Sequence, residues 1–376
     1  MATKRTNGEG TYRQRDDGKW ECRLRLPNGV RKSLYGRTLE EVKAKRKQAE
    51  RDIEAGLDLS KPSQTVSEFL TAWLADTAQS SVRARTYVSY EQLVKKHITP
   101  RMGDVKLAKL TPQHVERMMR EMVAAGLSPA TAQQARAVLR RALSFALKWG
   151  LVTRNVAALA TPPRSVKKPV KPLTTDQTRA FLAHVRQAEH RHWPLFTVAA
   201  YTGLRAGELY GLRWQDVDLT VGTLRVSQTV VQLPGGWAFG QPKTEKSARP
   251  LPLVPEVVDA LKATRKRQLE ERLAAGGRWQ NHDLVFTTTI GTPFSASNVN
   301  VSLHNALEAA GLPHMGIHGF RHGCASMLLE KGVHMRVVME WLGHSQISLT
   351  MNTYSHVAPT VLHDAARALE AALASG

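Results

Sequence analysis

Thr202-Gly203-Leu204-Arg205-Ala206-Gly207-Glu208-Leu209 and, later, His318-Gly319-Phe320-Arg321-His322 are the stretches on which the reading of this chain turns. Each sets one arginine close to glycine. Arg205 and Glu208 fall on one helical turn and suit an ion pair, while His318 and Arg321, at the same spacing, project from one helix face. A guanidinium is planar, always charged and able to grip two oxygens of one anion, so both arginines also suit an anion clamp. Further on come Pro242-Lys243-Thr244 with Ser247 and Arg249, then Leu342-Gly343-His344, then Tyr354-Ser355-His356. Lys243 lies in a turn region running from Gly235-Gly236 to Pro250, with Lys246 as its rival. From Leu173 onward the pattern mixes long helices with a strand group between about Val221 and Leu253, and a further strand at Leu284–Thr288 precedes four or five closing helices.

On the N-terminal side lies Thr161-Pro162-Pro163-Arg164-Ser165-Val166-Lys167-Lys168-Pro169-Val170-Lys171-Pro172, whose prolines forbid regular structure. Residues 161–172 read as an extended basic linker. Residues 63–160 read as helical. Val66, Phe69, Leu70, Trp73 and Leu74 make one buried stripe behind a Thr65–Glu68 capping box, and Thr111-Pro112 and Ser128-Pro129 each set a cap before a first-turn proline. Between Pro129 and Trp149, Ala135, Val138, Leu139, Ala142, Leu143, Ala146 and Leu147 line one face; Gln133, Arg136, Arg140 and Ser144 line the other.

Residues 1–60 read as a small sheet plus one helix. Trp20, Cys22, Leu24 and Leu26 alternate with Glu21, Arg23 and Arg25, between turn signals at Asp17-Gly18 and Pro27-Asn28-Gly29. A Thr38–Glu41 capping box then opens a helix to about Gly56. The outward sheet face carries Arg13, Arg15, Lys19, Arg23, Arg25, Arg31 and Lys32, which suits either a solvated surface or a ribbon laid into a DNA groove.

Composition points the same way. The 376 residues are too many for one core, and 53 Lys+Arg against 32 Asp+Glu leave a net charge of +21, which implies a polyanionic partner. Cys22 and Cys324 cannot build a disulfide framework or a four-ligand zinc site, so a reduced, cytosolic compartment is expected. No apolar run approaches the roughly 20 residues of a membrane span, and the start Met1-Ala2-Thr3-Lys4-Arg5 is not expected to be a signal peptide.

In this order and spacing the motifs resemble the tyrosine recombinase (phage integrase) family, closely over residues 173–360, and the succession of modules resembles the larger lambda-type integrases. The resemblance implies a multidomain α+β fold. Residues 1–60 would form an arm-type DNA-binding domain with a three-stranded sheet plus helix, and residues 63–160 an all-α core-binding bundle. After the linker, residues 173–376 would form a mainly α catalytic domain with a small antiparallel sheet and a C-terminal helix. The implied activity is site-specific recombination through a 3′-phosphotyrosine, integrating and excising a phage or mobile element. Its catalytic set maps onto Arg205, Lys243, His318, Arg321, His344 and Tyr354, supported by Glu208 and His322. DNA contacts are expected from Arg13, Arg15, Lys19, Arg23, Arg25, Arg136, Arg140, Lys167 and Lys168. The implied partners are double-stranded core-type and arm-type attachment sites, a homotetramer on DNA, a host DNA-bending protein and an excisionase. No membrane, metal, ATP or other cofactor is expected, and the place of action would be the nucleoid in a bacterial cytoplasm.

The residue chemistry agrees. A phosphodiester repels nucleophiles until fixed cations neutralise its non-bridging oxygens. A phenol with pKa about 10 leaves more readily than an alcohol, so a tyrosyl ester is reversed by a DNA hydroxyl without ATP. Of seven tyrosines, Tyr12 and Tyr35 belong to the sheet, Tyr87 and Tyr90 to the bundle, and Tyr201 and Tyr210 to helix faces expected to be buried. Tyr354 alone has polar neighbours near the chain end, although on composition alone it would pass for a surface tyrosine. Lys243 would protonate the departing 5′ oxygen, its pKa lowered by Arg205 and Arg321. In the family, the histidine matched by His318 assists proton transfer and bonds the scissile phosphate, and the one matched by His344 donates to a phosphate oxygen. His318 and His322 have zinc-helix spacing, but Gly319 stands where the general-base glutamate would be.

Cys324, where many relatives carry a hydroxyl, reads as a small buried hydrophobe. Leu362, Ala365, Ala366, Leu369 and Ala372 outline an amphipathic terminal helix that packs in cis or docks on a neighbouring protomer. A non-catalytic DNA-binding regulator, a type IB topoisomerase-like enzyme and a carboxylate–metal transposase are the rival readings.

Overall fold

The computed structural model describes residues 12–61, 63–165, 172–241 and 249–343, and the chain divides into two compact units at Lys167–Lys168. The first unit opens with antiparallel strands β1 (Tyr12–Gln14), β2 (Trp20–Arg25) and β3 (Arg31–Gly36), ordered β1-β2-β3, with Cys22 opposite both Tyr12 and Leu34. Helix α1 (Leu39–Glu54) begins at Thr38, whose side chain accepts from the Glu41 amide. It packs on β2 and β3, with Cys22, Leu26, Val42 and Ala49 buried. Gly36 permits the close approach, since a Cβ there would lie 2.7 Å from Val42 Cγ2. Glu21 departs from its expected solvent-facing position and is 8% exposed. Its carboxylate is satisfied by Ser33 Oγ at 2.9 Å and Arg23 Nε at 3.2 Å, which offsets the cost of removing it from water.

The chain then reaches the bundle, where the Asp58 amide donates to Gly150 O at 2.7 Å and Lys61 Nζ donates to Trp149 O at 2.7 Å. Helix α2 (Val66–Trp73) continues through a π-helical segment, Leu74–Ala78, into α3 (Gln79–Ser81). Helix α4 (Ala84–Leu93) continues through a second π segment, Val94–Ile98, into α5 (Thr99–Met102). Then come α6 (Pro112–Ala124), α7 (Pro129–Lys148) and α8 (Val156–Leu159). The Thr65–Glu68 box is reciprocal, and Thr111 and Ser128 cap α6 and α7 before Pro112 and Pro129. The apolar stripe of α7 is buried except Leu147, which is 44% exposed although its neighbour Ala146 is fully buried.

The second unit is built on helices α9 (Thr175–Gln187), α10 (Trp193–Thr202), α11 (Ala206–Tyr210), α12 (Pro255–Ala275), α13 (Ala296–Ala309), α14 (His318–Glu330) and α15 (Met335–Leu342). Nearly every residue of α10 is buried, because α9, α12 and α14 enclose it. Phe181 ties this core together, its ring 5.6 Å from Phe196 and 5.7 Å from Phe320. Between α11 and α12 lie β4 (Val217–Asp218), β5 (Thr223–Arg225), β6 (Thr229–Leu233), β7 (Gly236–Gly240) and β8 (Pro250–Pro252). They form an antiparallel sheet ordered β4-β5-β8 and a β6-β7 hairpin. The strand expected at Leu284–Thr288 is only a pair of bridges, Arg213 to Leu284 and Thr287 to Pro293. The chain folds back there, Thr288 N donating to Thr292 O at 2.9 Å, so no neighbouring strand can extend the ladder. No helix of the described residues is long and apolar enough to cross a membrane.

Candidate active site

Helix α10 ends on Gly203, whose φ of +60° turns the chain so that Arg205 precedes α11 in extended conformation. The Arg205 amide donates to Glu208 Oε2 at 3.1 Å, its Nη1 to Glu208 Oε1 at 2.7 Å, and its Nη2 to Gly343 O at 2.9 Å. The side chain keeps 35% exposure, whereas Glu208 is 2% exposed. The ion pair suggested by the spacing therefore exists, and it aims the guanidinium instead of hiding it.

Arg321, on the first turn of α14, is 2% exposed. Its Nη1 donates to Gly203 O at 2.9 Å and its Nη2 to Leu342 O at 2.7 Å. His318 opens the same helix and faces solvent. Desolvation of its packed side, then the charges of His322, Arg321 and Arg205, hold its pKa down to about 4, so the ring is neutral near pH 7. The His322 ring meets it edge to face at 4.9 Å and is itself lowered, first by burial and then by Arg321. Cys324 is buried as expected, and burial pushes its thiol up to about 11. Tyr201 is 40% exposed, against expectation, because it lies on the side of α10 that its neighbours leave uncovered; Tyr210 is buried.

The structure thus brings Arg205, Glu208, His318, Arg321 and His322 together from the α10–α11 turn and α14. Lys243, Lys246, His344, Tyr354, the terminal-helix positions Leu362 to Ala372, and Lys167 and Lys168 lie outside the described residues. Among the described residues no group of three or more His, Cys, Asp or Glu could hold a metal ion.

One member of the cluster carried no role in the sequence reading. Arg249, just before β8, is 7% exposed; its Nε donates to Trp341 O, and its Nη2 lies 3.8 Å from Glu208 Oε2. Burial lowers its pKa to about 10 against the opposing pull of Glu208, so it stays charged. The only signal for it was its place behind Pro242-Lys243-Thr244.

In the first unit, Arg13, Arg15, Lys19, Arg23 and Arg25 are exposed on the N-terminal strands and the turn between β1 and β2. Arg140 is exposed on α7, whereas Arg136 is half-buried and donates from Nη2 to Ala158 O at 3.1 Å, the last turn of the bundle.

The profile described as the phage integrase family matches residues 171–360, and one described as a phage integrase N-terminal SAM-like domain matches residues 65–123. An integrase of Streptomyces ambofaciens is 32% identical over 372 residues, 94% of either chain. A XerC-like tyrosine recombinase of Caldanaerobacter subterraneus subsp. tengcongensis is 30% identical over 349 residues, 88% of this chain and 89% of that one. Among solved structures, the Tn1549 transposon integrase in complex with a circular intermediate DNA shares the fold with a TM-score of 0.70 at 21% identity, over 82% of this chain and 100% of that one. A lambda integrase dimer bound to a core site does so with a TM-score of 0.57 at 20% identity, over 93% and 96%.

Proposed function

The chain belongs to the phage integrase family and is a tyrosine recombinase, an enzyme that cleaves and rejoins DNA at specific sites, and from that premise we propose how its residues divide the work. Arg205 and Arg321 grip the non-bridging oxygens of the scissile phosphate and stabilise the charge that redistributes as phosphorus becomes five-coordinate. The Tyr354 oxygen attacks phosphorus, the bond to the 5′ oxygen breaks, and Lys243 supplies the proton that the leaving oxygen takes. His318, neutral at pH 7, accepts a hydrogen bond or the phenolic proton, and His344 donates to a phosphate oxygen. Attack by a 5′ hydroxyl on the tyrosyl ester reverses these steps and rejoins the strand. The observation that supports this reading is the convergence of Arg205 and Arg321 on adjacent backbone carbonyls, with Glu208 orienting the first.

The same reading gives residues 1–60 the arm sites and residues 63–160 with 173–376 the core site. Four protomers act on two duplexes in the bacterial cytoplasm, with a DNA-bending protein and an excisionase setting direction. A nicked suicide duplex carrying the element's own junction tests the chemistry. Wild-type protein is expected to form a covalent adduct in the presence of chelator, and Tyr354→Phe none. An adduct that survives Tyr354→Phe, or that needs a divalent metal, would sink the proposal. Relaxation of any supercoiled plasmid by a single protomer would favour the topoisomerase reading instead.

A further inference from the structure

Three successive carbonyls at the end of α15 rest on three different arginines. Trp341 O accepts from Arg249 Nε, Leu342 O from Arg321 Nη2 at 2.7 Å, and Gly343 O from Arg205 Nη2 at 2.9 Å. The last carbonyls of any helix have no partner within it. Here the Gly343 amide serves those of Met339 and Glu340, and the next three take arginine side chains from elsewhere in the chain. The partial negative charge at a helix C-terminus favours cations in that place.

Two of the three arginines are the proposed phosphate clamp. The third, Arg249, comes from a separate part of the chain, is 7% exposed, and also approaches Glu208, the carboxylate that aims Arg205. We propose that Arg249 is a positioning residue for recombination: it fixes the end of α15 against the Arg205–Glu208 pair and so sets the spacing of the two clamp guanidiniums. Without Arg249, Trp341 O loses its donor and α15 can slide along its axis, carrying Leu342 O and Gly343 O, and with them both guanidiniums, out of register. A misplacement of about 1 Å at a reacting centre costs up to about 100-fold in rate.

This inference rests on the recombinase reading, and its test separates the two. Adduct formation on the suicide duplex is measured in single turnover for the full chain, alongside duplex affinity by filter binding and the melting midpoint. Arg249→Ala is expected to slow the adduct about 10- to 100-fold while leaving affinity within about twofold. Arg249→Lys, which keeps the charge but not the planar fork, is expected to fall between Ala and wild type. Glu208→Gln combined with Arg249→Ala is expected to cost less than the product of the single losses, because both act on one guanidinium. Wild-type adduct rates in both Arg249 variants, or multiplying losses in the double variant, would overturn the inference. So would a rate loss matched by an equal loss of affinity, or non-cooperative melting of Arg249→Lys, which would assign the residue to folding. No adduct in wild type would instead overturn the recombinase reading and this inference with it.

Discussion

Arg321 shows what a buried charge needs. With 2% of its surface exposed, it is tolerated because the carbonyls of Gly203 and Leu342 meet its two terminal nitrogens. Arg321→Met keeps the bulk but orphans both acceptors, at roughly 1–3 kcal/mol each. Denaturant unfolding is expected to register that loss, and the suicide duplex to give no adduct. The histidines set a pH dependence. His318 and His192 have pKa values pushed down to about 4, first by burial. Their unfolded-state values lie near 6.5, so between about pH 6.5 and 4 the unfolded chain binds protons that the folded one refuses. Stability is therefore expected to fall as pH drops through that window and to be insensitive to these groups above it. His192→Asn, which cannot titrate, should flatten the fall in melting midpoint; an unchanged curve would show that His192 does not contribute. Arg205 and Arg321 were legible in the sequence because each stands beside glycine in a recognisable motif. Arg249 and Glu21 were not, because a charged side chain becomes buried only through partners distant in sequence, Trp341 for one and Ser33 for the other.

At the scale of elements, the end of α10 and the end of α15 are joined at Gly203. Its φ of +60° disfavours any side chain, and a Cβ would stand 2.6 Å from Leu342 Cδ2. Gly203→Ala is expected to cost the 1–2 kcal/mol of a left-handed residue, about that much again for displacing Leu342, and most of the adduct rate. Gly311, with φ of +66° and open space around it, is the control: Gly311→Ala should bring the strain without the rate loss. Paired melting and adduct measurements decide between them. Helix starts were legible to the residue, since Thr65, Thr111 and Ser128 cap through local hydrogen bonds that sequence alone specifies. The bridges at 284–288 and the exposure of Leu147 were not, because an apolar run cannot say whether a neighbour is there to cover it.

For the whole molecule, a charge of +21 makes binding a matter of released counterions. Arg23 and Arg25 are exposed on one sheet, so replacing each by Ala is expected to reduce the slope of log affinity against log salt by roughly one unit; melting should hold in Arg25→Ala and fall in Arg23→Ala, which strips Glu21 of a partner. Arg136→Ala should do the reverse, lowering the melting midpoint through the lost contact to Ala158 O with little change in slope. An identical slope in the Arg23 and Arg25 variants would remove the sheet from the DNA interface. The mixed α+β fold was legible from pattern and motif, whereas the hydrogen bonds from Asp58 and Lys61 to the end of α7 depend on how the chain closes on itself.

The π segments Leu74–Ala78 and Val94–Ile98 bear on how this bundle tolerates length changes. Such a bulge amounts to one residue inserted into an α-helix. Removing one residue from Val94–Ile98 would restore ordinary winding and leave both flanks in phase, whereas the same deletion in the middle of α7 would rotate everything beyond it by about 100°. Gaps between this chain and its relatives should therefore gather at those two wide turns, where evolution can shorten the bundle without unscrewing it.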